Sequence, residues 1–116
     1  MRQWRTQWHE VYESAQVQKN TPGAYSTGVA VMIPRSCSGH VKNVHASDGT
    51  LEGRGLSVYM ACGRAYLLVV SVYCPVCSKK VSDNRLCERT WNWVLGEIEK
   101  YPKATVVICT DRACTC

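Results

Sequence analysis

The stretch SVYCPVCSKK, residues 71–80, sets Cys74 and Cys77 two residues apart across a proline. Two thiolates at that spacing are half of a structural zinc site, which needs four ligands converging on a tetrahedron. The other half is poorly supplied. Cys109, Cys114 and Cys116 follow more than thirty residues later, at spacings of C-x4-C and C-x-C, and His9, His40 and His45 have no paired spacing. The remaining cysteines are Cys37, Cys62 and Cys87, which makes eight in all. An even number in a short chain suits a disulfide framework, but that reading expects secretion. No leading apolar segment precedes Arg2, Trp4, Arg5 and Trp8, so no secretory signal is visible. The favoured reading is therefore an intracellular, possibly nuclear protein with reduced thiols packed as small hydrophobes. Cys74 then ends a strand and Cys77 opens the loop after it. A small zinc-binding module stands as the alternative.

The elements that must position these groups follow from hydrophobic periodicity. Trp4, Trp8, Val11, Tyr12 and Ala15 make one stripe of a 3.6-residue repeat, which predicts a helix over 3–16. The breakers NTPG at 20–23 stop it. TGVAVMI at 27–33 is apolar and partly β-branched and reads as a buried strand closed by Pro34. Residues 39–47 form a weak strand and 47–53 a turn-rich loop. Residues 54–60 and 65–73 are strands expected to pair as an antiparallel hairpin around Cys62–Gly63.

Residues 82–101 give the clearest helix. Its core face is Cys87, Trp91, Val94, Leu95, Ile98 and Tyr101; Ser82 or Asp83 caps its start and Pro102 ends it. Trp93 points away from that face, toward some other surface. Glu88, Glu97 and Glu99 read as solvated. ATVVICT at 104–110 is a last short strand. The order α-β-β-β-β-α-β predicts an α/β fold: one mixed sheet with helices on one face, part of a two-sheet sandwich, in a single domain spanning 1–116.

Composition narrows the function classes. A hydrophobic fraction of 46% and a charged fraction of 20% are those of a globular chain. The apolar stretch from Ala65 is broken by Ser71 and Pro75, too short for the ~20 residues that cross a membrane. A net charge of +5 leans only mildly toward a polyanion.

The ordered set of segments resembles the endonuclease/exonuclease/phosphatase superfamily, which includes apurinic-site endonucleases and the endonuclease domains of non-LTR retrotransposons. STGVAVMI is similar to that family's GvAil strand, and GRGLSVYMACGRAYLLVVSVYCP to its GR strand followed by a strand leaving in Y-a-P. KATVVICTD resembles the strand that leads into its G-D-x-N motif. The resemblance covers about residues 26–113, as an incomplete, central part of such a domain.

It implies that Tyr73 contacts the scissile phosphate and that Arg54, in the triplet Glu52-Gly53-Arg54, binds backbone phosphate. It implies that Asp111 orients or deprotonates the attacking water. Two positions depart: the motif's glycine is Thr110 and its asparagine is Ala113. The family's metal-binding glutamate and Asp–His dyad have no counterpart.

The implied function is metal-dependent phosphodiester cleavage, on DNA in a retroelement context, with Mg²⁺ as cofactor. Without those groups the chain is expected to be inactive alone. The expected partners are DNA and the remaining half of the domain, or a second copy meeting exposed apolar surface. A nucleic-acid-binding module without catalysis is the remaining alternative.

Overall fold

The hairpin expected around Cys62–Gly63 is the centre of the architecture. In the computed structural model, which describes residues 1–17, 25–73 and 81–110, two eight-residue strands pair antiparallel from Gly55↔Val72 to Cys62↔Ala65. Gly63 takes φ +62° at the first position of the two-residue turn, and no other residue type here has positive φ. That is the type II′ arrangement, whose twist matches the flanking strands.

Around this hairpin the chain runs β1 (Arg2–Arg5), β2 (His9–Val17), β3 (Tyr25–Pro34), α1 (Arg35–Ser38), β4 (Val41–Ala46), a 3-10 turn at Gly49–Leu51, β5 (Gly55–Cys62), β6 (Ala65–Val72), α2 (Val81–Lys100) and β7 (Thr105–Thr110). β4-β5-β6-β7 form a four-stranded sheet and β1-β2-β3 a three-stranded antiparallel one. β6 and β7 are parallel, with Val72 opposite Thr110. A parallel pair needs a long crossover, and α2 lies within that connection. The fold is thus α/β, a two-sheet sandwich with a mixed sheet and a helix on one face.

Side-chain alternation divides the mixed sheet between two cores. Leu56, Val58 and Met60 point inward and meet Tyr12, Val29, Val31 and Ile33 of the smaller sheet. Leu68, Val70 and Val72 point outward and meet Val94 of α2, with Trp91, Trp93 and Ile98 around it. The central strands are therefore buried on both faces, which explains their near-continuous apolar sequence. The mixed sheet was expected to leave one face uncovered; the three-stranded sheet covers it instead.

The helix expected over 3–16 is corrected. These residues form β1 and β2, joined by a turn in which Thr6 Oγ1 accepts from the amides of Trp8, at 3.3 Å, and His9, at 2.9 Å. Pairing along β3 for nine register positions overrides the local helical repeat. The supposed stripe is split: Val11 and Tyr12 are buried, but Trp8 is 68% exposed and Trp4 38%. The true period is two. Glu10, Tyr12 and Ser14 share the inner face, while Val11 lies on the outer face between Trp4 and Met32.

The face of α2 is also rotated from expectation. Cys87, Thr90, Val94 and Glu97 are buried, whereas Leu95 is 56% exposed. Trp93 does not turn to another surface. Its ring packs over Gly55, where an added Cβ would come within 2.5 Å of it.

The thiol reading needs correction as well. Cys37, Cys62 and Cys109 are free but exposed rather than packed, and Cys87 is disulfide-bonded. Cys74, Cys77, Cys114, Cys116, the NTPG breaker and the side chains of Ser82 and Asp83 lie outside the described residues. Among the described residues no helix is long and apolar enough to cross a membrane.

Candidate functional site

Two of the three residues singled out by the resemblance flank neighbouring strands of the mixed sheet. β5 is antiparallel to β6, so the start of β5 and the end of β6 share one edge of the sheet. β7 is parallel to β6 and ends on that same edge. Arg54 immediately precedes β5 and Tyr73 immediately follows β6. Asp111, after β7, lies outside the described residues.

The loop before β5 fixes Arg54. Ser47 Oγ accepts from the Gly55 amide at 2.9 Å and donates to the Leu51 carbonyl at 2.5 Å. The Ser47 amide donates to the Gly55 carbonyl at 2.9 Å, and the Arg54 amide to the Leu51 carbonyl at 3.0 Å. Gly53 enters with φ +76°, a left-handed conformation that glycine adopts without strain. The Tyr73 amide then donates to the Arg54 carbonyl at 2.8 Å, so the two backbones are locked together.

Their side chains meet. The Arg54 guanidinium carbon sits 5.6 Å from the centroid of the Tyr73 ring, within the range of a cation–π contact. Arg54 Nε and Nη1 are buried and have no hydrogen-bond partner among the described residues. A buried, unpaired donor costs about 1–3 kcal/mol, and more on a charged group. Next to Tyr73, a cleft of about 300 Å³ opens between the sheets, lined by Gly28, Val29, Ala30, Ser71, Val72, Cys109 and Thr110.

No metal centre emerges here. Among the described residues no group of three or more His, Cys, Asp or Glu side chains is placed to hold an ion. The described residues thus supply no such group for the Mg²⁺ that the resemblance implies; Asp111 lies outside them.

A second polar cluster went unread in the sequence. Glu97, expected to be solvated, is 2% exposed. Its carboxylate receives the Lys100 ammonium and His45 Nδ1 and a hydrogen bond from Ser57 Oγ at 2.9 Å. His45 in turn lies 5.7 Å, centroid to centroid, from Trp93. Burial raises the Glu97 pKa, but the hydrogen bonds from Lys100, His45 and Ser57 outweigh it and leave the carboxyl below its ordinary value. The missed signal was the spacing of Thr90, Val94 and Glu97, which continues one helical stripe. This cluster ties α2 to β4 and β5.

No family model, no curated protein and no solved structure matches the chain.

Proposed function

We propose that the chain is part of a phosphodiesterase-type domain of the endonuclease/exonuclease/phosphatase kind, and that the edge carrying Arg54 and Tyr73 binds a backbone phosphate of DNA. The observation that supports this most is the Arg54 guanidinium, held against the Tyr73 ring with Nε and Nη1 buried and without acceptors among the described residues. Guanidinium is the side chain best shaped for a phosphate, because its N–H groups form a planar fork. To meet an anionic oxygen at this edge the guanidinium turns outward from its buried position as DNA binds. The phenol of Tyr73 adds a donor beside it.

Cleavage is a further demand. It requires a cation to neutralise developing charge and a positioned water. The resemblance leaves the family's metal-binding glutamate and Asp–His dyad without counterparts, and on that ground the chain alone is proposed to bind without cutting. The retroelement origin suggested by the resemblance belongs to the same proposal.

A titration of the labelled chain with a short DNA duplex tests the reading, followed by the Nε–H signals of its arginines and the ring signals of its tyrosines. The expected result is a shift of the Arg54 and Tyr73 signals as duplex is added. Shifts confined to the opposite end of the sandwich overturn the assignment. Nicking of supercoiled plasmid in Mg²⁺, lost on Asp111→Ala, overturns the statement that the chain is inactive alone.

A further inference from the structure

The end of the sandwich opposite Arg54 carries a second built surface. The turn between β1 and β2, the end of β3 and the start of α1 border an open surface groove lined by Gln7, Trp8, His9, Pro34, Arg35 and Ser36. Its wall includes an indole that is 68% exposed.

The ring's backbone is well anchored. Thr6 Oγ1 accepts from the Trp8 and His9 amides, and the Arg35 amide donates to the Trp8 carbonyl at 2.8 Å. Among the described residues the Arg35 side chain makes one long hydrogen bond, Nη1 to the Gln7 carbonyl at 3.4 Å, which leaves most of its five N–H donors for other acceptors.

The charge around this end favours an anion. Arg35 lines this end, and Arg5, two residues before Gln7, is paired with Glu10. The nearby carboxylate, Glu10, is 4% exposed, and both its oxygens are taken, by Gln3 Nε2 at 2.7 Å and Arg5 Nε at 2.7 Å. The aromatic character continues along the sheet. Trp4 and Met32 flank Val11 on the same outer face as His9 and Pro34, and the Arg2 guanidinium lies 6.0 Å from the Trp4 ring centroid. Basic and aromatic residues alternate through RQWRTQWH.

We propose that this end of the small sheet is a single-stranded nucleic-acid site, in which a base stacks on Trp8 and the adjoining phosphate meets Arg35. Stacking on an indole is indifferent to sequence because every base has a π-face, and a basic residue beside it tracks the backbone. Duplex DNA offers no free base face, so the site discriminates by strandedness. It is separate from the Arg54 edge and does not depend on that reading.

The test is fluorescence anisotropy of the full chain with a labelled oligothymidine of about 12 nucleotides. Trp8→Ala is expected to weaken binding about tenfold or more, while Trp8→Tyr, which keeps a stacking ring, retains most of it. Arg35→Gln is expected to weaken binding and to make the dependence of log affinity on log salt shallower by about 0.7. Arg89→Gln, an exposed residue of α2 on the far side of the mixed sheet, is expected to leave it unchanged. No binding of the oligonucleotide by the unaltered chain overturns the proposal. So does wild-type affinity in Trp8→Ala, or equal loss in Arg89→Gln.

Discussion

Arg54 is held where it costs stability, and this separates a binding role from a structural one. Two of its nitrogens are buried without acceptors among the described residues, and an apolar side chain of similar length removes that penalty. Arg54→Met is therefore expected to leave the urea midpoint unchanged or raise it while weakening DNA binding. A fall of several kcal/mol would show instead that the guanidinium holds the fold.

Glu97 behaves in the opposite way. Its carboxyl titrates below its ordinary value in the folded chain. The ionised form is thus favoured by folding, and that contribution is complete above the unfolded pKa and lost as pH falls through the folded one. Stability measured from neutral pH into the acid range is expected to drop more steeply in the natural chain than in Glu97→Gln. At neutral pH the substitution is expected to cost about 1–3 kcal/mol, because Ser57 loses a charged acceptor inside the fold. Identical pH profiles for the two proteins would contradict the role given to this carboxylate.

The packing of α2 on the sheet depends on one glycine. The Trp93 ring lies over Gly55 so closely that a Cβ there would meet ring carbons at 2.5 and 2.8 Å. Gly55→Ala is expected to destabilise the protein by about 1–3 kcal/mol, as overpacking does. Part of that loss should be recovered when Trp93 is shortened to leucine in the same chain, since contacting residues are not additive. Simple addition of the two single effects, measured by urea unfolding, would show that the ring moves aside freely.

The same contact shows where sequence reading succeeds and where it stops. β5, β6, α2 and β7 were legible because their apolar runs and the turn glycine at 63 agree with the final fold. The orientation of α2 was not legible: Leu95 is a better core residue than Glu97 on hydrophobicity alone, yet Glu97 is the one buried. What decides is a set of partners, His45 and Ser57, that arrive from distant strands. The first seventeen residues failed for a related reason. Trp4, Trp8, Val11, Tyr12 and Ala15 satisfy a helical period, but the ten-residue strand β3 supplies a pairing partner that no local window contains.

At the scale of the molecule, the sandwich brings together what the sequence keeps nineteen positions apart. Arg54 and Tyr73 meet because β5 and β6 form a two-residue hairpin of matched length, so the residues flanking it share one edge. That edge was legible, given the hairpin. The burial of the guanidinium was not, because it depends on a side-chain contact with Tyr73 that no local window contains.

The two ends of the sandwich are given different tasks: a phosphate of duplex DNA at the Arg54 edge, a single strand at the Trp8 end. With a net charge of +5, any polyanion will show some salt-dependent attraction to the chain. Only a residue-specific change in salt dependence isolates the edge.

The affinity of a DNA duplex for the natural chain and for Arg54→Ala, followed across a salt series, is the most direct measurement. If Arg54 neutralises a backbone phosphate, the substitution weakens binding and reduces the slope of log affinity against log salt by about 0.9. Equal affinity and equal slope in the two proteins would contradict the assignment of this edge to phosphodiester recognition.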